Sequence, residues 1–306
     1  MGPKNVVVTG YATLDYVVQL HHRFEKDGTV AATLGPSGAW PRAGAAVLYA
    51  GRRIAAAGHI CNIVSWIAPD SDGDHFLEAC DAAGISTSGI DRSCLSRTSR
   101  CILAYQPDGS FGCFLDLAAE TPARLTDVQR KLLRHADVVC IAIGPEGVTR
   151  EIVEACPEQA TVAWIAKLDD SSQPQSLRCK IAARADIIFC NSSERAVVDD
   201  ARANSQRSNQ VIIETRGSGG LMIEAGDIHL IPAAPVDTTD ATGAGDTLAG
   251  EMLAQISSGY ASYEDAARLG IVAARALLLD RRQEQDHHTR TKQDRCDNSG
   301  TPGAKS

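Results

Sequence analysis

Long apolar runs, basic stripes and paired cysteines are all missing from this 306-residue sequence, and each absence excludes a class of protein. No apolar run approaches the length that crosses a bilayer, and the opening MGPKNVVVTG lacks the apolar core of a signal peptide. We therefore expect a cytosolic protein without a membrane partner. The formal net charge is −8 and no stripe of Lys and Arg stands out, so a nucleic-acid partner is not expected.

The ten cysteines are scattered, and no two of them form a C-x-x-C pair. In a reducing compartment such residues behave as small buried thiols, which we expect here in place of disulfides or a zinc site. They are Cys61, Cys80, Cys94, Cys101, Cys113, Cys140, Cys156, Cys179, Cys190 and Cys296.

Short apolar runs alternate with segments of helical character, which predicts an α/β protein with a parallel sheet. The predicted strands are NVVVTG at the amino end and residues 136–144, 160–169, 185–191 and 210–217. Ligands of open α/β sheets gather at the carboxyl ends of strands. The residues that end four of these strands are therefore candidates for one crevice: Gly144, Asp169, Asn191 and Thr215.

Two helices and one hairpin complete the predicted framework. Residues 46–58 and 246–259 have the composition of helices that end at glycine. Residues 99–117 are two β-rich runs around the turn sequence PDG. With the segment that begins at residue 16, the hairpin is expected to form a small sheet over the crevice.

The end of the chain, residues 280–306, is almost entirely polar or charged. Such a segment cannot bury enough apolar surface to fold, so we expect a disordered tail after a folded domain at residues 1–279. The pair His287 and His288 is expected to be solvated and not to bind metal.

The segment DATGAGDTLAG at residues 240–250 combines three features that suit anion chemistry. Gly243 and Gly245 let the backbone turn tightly and approach a ligand. Amides at the start of the following helix, together with its dipole, stabilise negative charge. Asp246 can then take a proton from a hydroxyl group that attacks the same anion, which is the logic of phosphoryl transfer. The alternative is a carboxylate placed there for helix capping alone.

This segment resembles the second signature of the ribokinase-like (PfkB) carbohydrate kinases, D-T-x-G-A-G-D-x-x-x-G, with Ala241 as the one departure. The resemblance runs from GYATLDYVV near the amino end to about residue 279. It implies an α/β fold, a ribokinase-like three-layer sandwich with a mostly parallel central sheet and a small β lid from parts of 16–40 and 98–118. It also implies a homodimer formed through the lid. Asp246 would be the catalytic base, and the anion hole would come from Gly243, Ala244 and Gly245.

On the nucleotide side, the sequence NSSE matches the family's N-x-x-E motif, in which Asn191 and Glu194 help to set Mg²⁺ and phosphate, Glu194 indirectly. TRGSGG matches the T-x-G-x-x-G turn that approaches ATP, with Thr215, Gly217 and Gly220. The residues alone also allow plainer roles. These are a helix-capping asparagine with a first-turn glutamate, and a glycine turn that ends a strand.

Asp240 and Thr242 fall where the family often binds a monovalent cation, so K⁺ is a candidate cofactor beside ATP and Mg²⁺. The family normally continues after its last helix with a glycine-containing loop that helps to hold this cation and the nucleotide base. Here the chain runs into polar residues from 280, which puts K⁺ activation and tight adenine binding in doubt.

On the acceptor side, Asp15 matches the family's aspartate that binds substrate hydroxyls, with a turn residue as the alternative. The family's G-G-x-x-x-N pattern is represented by Gly44, Ala45 and Tyr49, so that a phenol replaces an amide. Tyr49 is expected either to stack on an apolar ring face of the substrate or to pack. The acceptor is therefore not expected to be ribose itself.

Together these residues predict ATP-dependent phosphorylation of a hydroxymethyl group on a sugar or sugar-like molecule, a nucleoside included. Arg42 and Lys167 either contact a carboxylate or phosphate of the substrate or are solvated cations. The main alternative function is a non-catalytic ligand sensor that keeps the kinase fold. A nicotinamide-dependent oxidoreductase is disfavoured, because GYATLD and not G-x-G-x-x-G follows the first strand.

Overall fold

The structure is a computed structural model that describes residues 2–25, 27–35, 40–118, 124–205, 207, 209–238, 240–259 and 262–297, with the backbone alone for 286–297. In chain order, its strands are β1 (Asn5–Thr9), β2 (Thr13–Leu20), β3 (Ala32–Leu34), β4 (Arg42–Ala43), β5 (Ile60–Trp66), β6 (Ile90–Asp91), β7 (Ser99–Tyr105), β8 (Phe111–Asp116), β9 (Val138–Ile141), β10 (Thr161–Ile165), β11 (Ile187–Asn191), β12 (Val211–Thr215), β13 (Leu221–Ala225) and β14 (Asp227–Ile231). The helices are α1 (Ala45–Ala56), α2 (Ser71–Ala82), α3 (Asp127–Arg134), α4 (Glu146–Ala155), α5 (Gln175–Arg184), α6 (Arg195–Ala203), α7 (Ala244–Ser258) and α8 (Tyr263–Asp297).

The main sheet has nine strands in the order β14-β13-β12-β11-β10-β9-β1-β5-β6. The pairs from β12 to β6 are parallel, and β13 and β14 add an antiparallel edge. Parallel strands lie next to each other in this way when helical crossovers connect them. The predicted α/β sandwich with a mostly parallel sheet is confirmed, and every strand predicted for this sheet is present.

Helices cover both faces of the sheet, because alternate strand residues point to opposite sides and both sides are apolar. In β1, Val6 and Val8 belong to a core shared with α1 and α7, whereas Val7 belongs to a core shared with α3 to α6. Trp164 of β10 belongs to the second core and is fully buried. The result is three layers whose strand ends meet at one edge.

The lid is a smaller sheet in the order β3-β2-β7-β8, and β4 pairs with the first residues of β2 on the same edge as β3. The predicted hairpin is present, since β7 and β8 pair antiparallel around the PDG turn. Its inner side packs on a small cluster that contains Val17, Leu103 and Tyr105. The lid therefore lies beside the strand edge, as the resemblance implied.

The end of the chain differs from the prediction. Helix α8 continues through residue 280 to Asp297, and Arg281 is only 4% exposed. The predicted start of a disordered tail at residue 280 is therefore wrong. The prediction counted every polar residue of this segment as solvated, whereas Arg281 is buried. Residues 298–306, and the side chains of His287 and His288, lie outside what the structure describes. None of the helices in the described ranges is long and apolar enough to cross a membrane.

Candidate active site

The loop before α7 turns sharply at Gly243, which caps the helix with a φ of +76°. A Cβ atom here would lie 2.5 Å from the ring of Tyr49, so both the backbone angle and the packing require glycine. The amide of Thr247 donates to the Gly243 carbonyl oxygen at 2.8 Å and closes the first turn. The predicted start of this helix at residue 246 is therefore two residues late.

The amides of this first turn are the predicted anion hole, and they differ in whether they already donate a hydrogen bond within the protein. Gly245 and Asp246 lie where a helical amide has no acceptor earlier in the same helix, so their N–H groups carry the positive end of the dipole. The Ala244 amide instead donates to the carbonyl oxygen of Ala241 at 3.2 Å. The predicted use of Ala244 as an anion donor is not what the structure shows, because its hydrogen already closes the preceding turn.

Asp246 is buried in this first turn, and its carboxylate faces Lys167. Lys167 follows β10, and its Nζ lies 3.1 Å from Asp246 Oδ1. Burial lowers the pKa of Lys167, but the carboxylates of Asp246 and Glu194 outweigh it, and the pKa is raised. Lys167 is thus a cation held at the predicted base. Its side chain is 36% exposed.

Asn191 and Glu194 form a closed turn at the end of β11. The amides of Ser193 and Glu194 donate to Asn191 Oδ1 at 2.9 Å each, and the Asn191 amide donates to Glu194 Oε2 at 2.8 Å. These reciprocal hydrogen bonds close a turn ahead of α6, whose N-cap is Glu194, so Asn191 is not the cap of that helix. Burial raises the pKa of Glu194, Lys167 opposes that shift, and Asp246 adds to it. Glu194, Lys167 and Asp246 therefore share one electrostatic environment.

The predicted nucleotide turn follows β12, whose last residue Thr215 pairs with Asn191 on β11. Gly217 has a φ of +55°, and a Cβ there would meet open space. A Cβ on Gly220 would instead lie 2.2 Å from the Ile231 carbonyl oxygen of β14. Gly217 thus presents bare backbone beside the strand edge, whereas Gly220 is required by packing.

The remaining strand-end candidates join β1 to β10. Ser172 Oγ donates to Asp169 Oδ2 at 2.7 Å and lies 3.3 Å from the Tyr11 hydroxyl. A Cβ on Gly144 would lie 3.2 Å from the Cα of Gly10, so these two glycines let the strand ends approach each other. The ends of β1, β9 and β10 thus lie close together, and a single crevice lined by all four strand-end candidates stays a prediction.

Asp15 lies within β2 and not in a turn, which removes the alternative that the sequence left open. Its Oδ1 accepts a hydrogen bond from Thr13 Oγ1 at 2.9 Å, and a Cβ on Gly44 would lie 2.0 Å from its Oδ2. Gly44 therefore lets the carboxylate lie on bare backbone ahead of α1. Burial raises the pKa of Asp15 to about 6, although Thr13, Arg42 and Arg281 act in the opposite direction.

Ala45 and Tyr49 occupy the remaining predicted acceptor positions on α1. Ala45 has a φ of +69°, a conformation that favours glycine. Tyr49 is 2% exposed, its ring lies against Gly243, and its hydroxyl lies 3.0 Å from Arg281 Nη2. Of the two roles considered for Tyr49, the structure shows packing.

Asp240, at the start of the loop, contacts two arginines. Arg42 Nη1 lies 2.9 Å from its Oδ2, and Arg281 Nη1 lies 3.1 Å from its Oδ1. Arg42 is therefore not a solvated surface residue. Burial alone would raise the pKa of Asp240, but Arg281 and Arg42 outweigh burial and hold it below its ordinary value.

Arg281 is the residue of this site that sequence reasoning missed. It lies on α8, in the segment whose composition predicted a tail, and it contacts Asp240, Thr242 and Tyr49. The signal that was available is the apolar run LGIVAARALLL, which leads into Arg281 without a helix-ending glycine or proline.

Comparison with protein families gives a match to the pfkB family of carbohydrate kinases over residues 54–284. This match passes the predicted domain boundary and includes Arg281. A cytidine kinase from Thermococcus kodakarensis is 32% identical over 109 residues, which cover 32% of this chain and 39% of that protein. The chain therefore matches well under half the length of this relative.

Several solved structures share the fold. A ribokinase from Cryptococcus neoformans in complex with ADP has a TM-score of 0.71 at 21% identity and covers 89% of this chain and 92% of its own. A nucleoside kinase from Methanocaldococcus jannaschii has a TM-score of 0.70 at 19% identity, with 90% and 91% covered. A ribokinase from Arabidopsis thaliana complexed with ribose and ATP has a TM-score of 0.69 at 19% identity, with 90% and 92% covered. The family match spans most of the chain, and this protein belongs to the pfkB family of carbohydrate kinases.

Proposed function

We propose that this protein transfers the γ-phosphoryl group of ATP to a hydroxymethyl group of a sugar or sugar-like molecule, a nucleoside included. The observation that carries the proposal is the placement of Asp246. Its carboxylate is buried in the first turn of α7, behind Gly243 and Gly245, and 3.1 Å from the ammonium of Lys167. A base, anion donors and a cation are the groups that this transfer needs.

In the proposed reaction, Asp246 takes the proton of the acceptor hydroxyl as the oxygen bonds to the γ-phosphorus. The bond from that phosphorus to the bridging oxygen breaks, and this oxygen leaves with its electron pair as part of ADP. The first-turn amides of Gly245 and Asp246 stabilise the charge on the transferred group. Lys167 pairs with Asp246 before the acceptor arrives and then neutralises phosphoryl charge from the same position.

The nucleotide would lie along the ends of β11 and β12. Bare backbone at Gly217 suits a close approach of ATP beside Thr215, and Gly220 supports this turn through its packing on β14. Mg²⁺ bound to the phosphates would neutralise their charge, and the oxygen donors of Glu194 fit such an ion through bound water. Asn191 holds Glu194 in place for this role.

The acceptor would lie between Asp15 and Asp246, beneath the lid. A carboxylate in a strand suits two neighbouring hydroxyls of a polyol or of a ribose ring in a nucleoside. Closure of the lid would exclude water and so protect ATP from hydrolysis. The names of two similar proteins, a cytidine kinase and a nucleoside kinase, favour nucleosides among the acceptors to be tried.

We also propose a homodimer formed through the lid, in the cytosol. The outer side of the lid exposes three large apolar side chains, which a second copy of the same sheet would cover: Leu34, Ile102 and Phe114. Sedimentation at several concentrations tests this, with Phe114→Glu as the variant expected to be monomeric.

The proposed activity is tested by ADP release with ATP and a panel of sugars, nucleosides and sugar phosphates. We expect turnover with at least one acceptor, and its loss in Asp246→Asn. If a panel member raises the melting temperature but no acceptor releases ADP above the ATP-only rate, the protein is a ligand sensor and the proposal is wrong.

A further inference from the structure

The carboxylate of Asp240 is enclosed by cationic and polar groups from three parts of the chain. Its Oδ1 accepts from the Thr242 amide at 3.1 Å and from Arg281 Nη1 at 3.1 Å. Its Oδ2 accepts from Arg42 Nη1 at 2.9 Å. Its side chain is 2% exposed. The carboxylate is therefore held on both oxygens by groups that belong to the protein.

This donor set does not fit a monovalent metal ion at Asp240. Such an ion binds oxygen atoms, and here two guanidinium groups already face the carboxylate where the ion would bind. The buried charges also balance without an ion, since Asp15 and Asp240 stand against Arg42 and Arg281. A further cation would add buried charge that no carboxylate of this cluster compensates.

We infer that Arg281, assisted by Arg42, replaces a monovalent cation in this protein, so that its turnover does not depend on K⁺. Arg281 is a positioning residue for the anion loop and does not touch the reacting atoms. The inference rests on the proposed function only where turnover is the measured quantity.

Besides its contact with Asp240, Arg281 acts on the loop through two further contacts. Its Nη1 donates to the Thr242 carbonyl oxygen, which is the oxygen directly before Gly243. Its Nη2 lies 3.0 Å from the Tyr49 hydroxyl, and the Tyr49 ring lies against Gly243. One guanidinium thus fixes the peptide that leads into α7 from two sides. The fork geometry of arginine suits this task, whereas an ammonium has a single nitrogen.

The lid contacts the same peptide segment. The Tyr105 hydroxyl of β7 lies 2.8 Å from Thr242 Oγ1. A shift of Thr242 would therefore disturb both the helix start and the lid. Misplacement of a reacting group by about 1 Å can cost about 10²-fold in rate. Because the Thr242 carbonyl leads directly into α7, a guanidinium that holds this carbonyl in place would keep the first turn of α7 in position for the reaction.

The first test compares the full-length protein in KCl, NaCl, CsCl and choline chloride at equal ionic strength, so that screening is the same. We expect melting temperature, ADP affinity and, with an accepted substrate, kcat to agree within about twofold or within error among the four salts. Selective activation by K⁺, or selective stabilisation by it, overturns the inference.

The second test removes the guanidinium. In choline chloride, Arg281→Ala is expected to lose about 10²-fold in kcat. K⁺, or added guanidinium ion, should restore about tenfold, a usual size for coupling between two sites. Arg281→Lys should retain part of the activity in every salt. The matched control is Arg282→Ala at the next, exposed position, which should behave as wild type.

If Arg281→Ala does not fold, Arg281→Lys and the salt comparison on the wild type still decide the question. If no acceptor supports turnover, the proposed function fails, but melting temperature and ADP affinity in the four salts still test the cation. A partial loss in Arg281→Ala that no added cation restores would assign Arg281 an ordinary packing role and contradict the inference.

Discussion

Two aspartates six residues apart, Asp240 in the loop before α7 and Asp246 in the first turn of that helix, have opposite environments. Asp240 is 2% exposed, and both of its oxygens face arginines that are themselves anchored. Asp246 faces one lysine whose flexible side chain is 36% exposed. The same residue type therefore holds the loop at one end and stays available for chemistry at the other. A carboxylate is fixed by two planar guanidiniums but only paired by one mobile ammonium.

We call the surroundings of Asp240 the enclosed end of this segment and those of Asp246 the open end. The comparison predicts that substitutions at the open end change turnover, whereas substitutions at the enclosed end change stability and the geometry of the loop. Residues 240–243 belong to the enclosed end together with Asp15, Arg42 and α1. Asp246 and Lys167 form the open end with Glu194. Four further variants test this division.

The largest effect is expected for Asp246→Asn. Loss of the base should reduce kcat by about 10²- to 10⁴-fold, while ADP affinity stays within a few-fold. Steady-state kinetics and calorimetric titration measure the two quantities. The control is Asp265→Asn, which changes a first-turn carboxylate of α8 that is exposed. A loss of the same size in both variants would attribute the effect to helix dipoles and not to base catalysis.

The next effect is expected for Lys167→Ala. Removal of a cation that neutralises phosphoryl charge should lower kcat by about 10²-fold, and the melting temperature should change little because the side chain is partly exposed. Lys180→Ala is the control, since Lys180 pairs with Glu154 on the outer surface. An unchanged kcat in Lys167→Ala would show that Lys167 only pairs with Asp246 and does not neutralise phosphoryl charge.

A smaller effect concerns Asp15 and pH. Because burial raises its pKa to about 6, the carboxylate that we propose to bind acceptor hydroxyls is protonated early as the pH falls. We expect kcat/KM for the acceptor to fall by about tenfold per pH unit below that value. Asp15→Asn should be slow at every pH and should lack this dependence. A profile unchanged by the substitution would remove Asp15 from the acceptor site.

The same pKa has a consequence for stability with the opposite sign. The folded protein binds the Asp15 proton more tightly than the unfolded chain, so this group's contribution falls as the pH rises from its ordinary value of 3.8 towards about 6. Asp15→Asn should remove that slope in denaturant titrations at several pH values. Asp240 should oppose it, because its pKa is lowered in the folded protein and its contribution is lost as the pH falls.

The smallest effect is expected at the start of α1. Ala45 has a φ of +69°, a conformation that glycine adopts without strain. Ala45→Gly should therefore raise the free energy of unfolding. The net gain should be up to about 1 kcal/mol, because the greater entropy of glycine in the unfolded chain offsets part of the relieved strain. Ala55→Gly, inside the same helix, should lower it by about 1 kcal/mol. Urea denaturation measures both, and a loss of stability in Ala45→Gly would mean that its Cβ makes compensating contacts.

Much of the fold was predictable because it depends on local sequence patterns. Apolar runs of strand length, helices ending at glycine and the PDG turn all depend on neighbours within about ten residues. The glycines before Asp246 and its place in the first turn of a helix are local as well. Helix boundaries were off by one or two residues, because capping depends on single hydrogen bonds such as that from Ala244 to Ala241.

The sequence by itself therefore determined the layered α/β architecture, the hairpin of the lid and the loop that carries Asp246. Only the tertiary structure decided which charges meet there. Lys167 comes to Asp246 from another strand, Tyr49 packs under a glycine of α7, and Arg281 reaches Asp240 from a segment whose composition predicted disorder. The physical reason is that an ion pair between distant segments depends on how the helices and strands pack. The sequence shows which residues are charged, but it does not show which of them will lie next to each other.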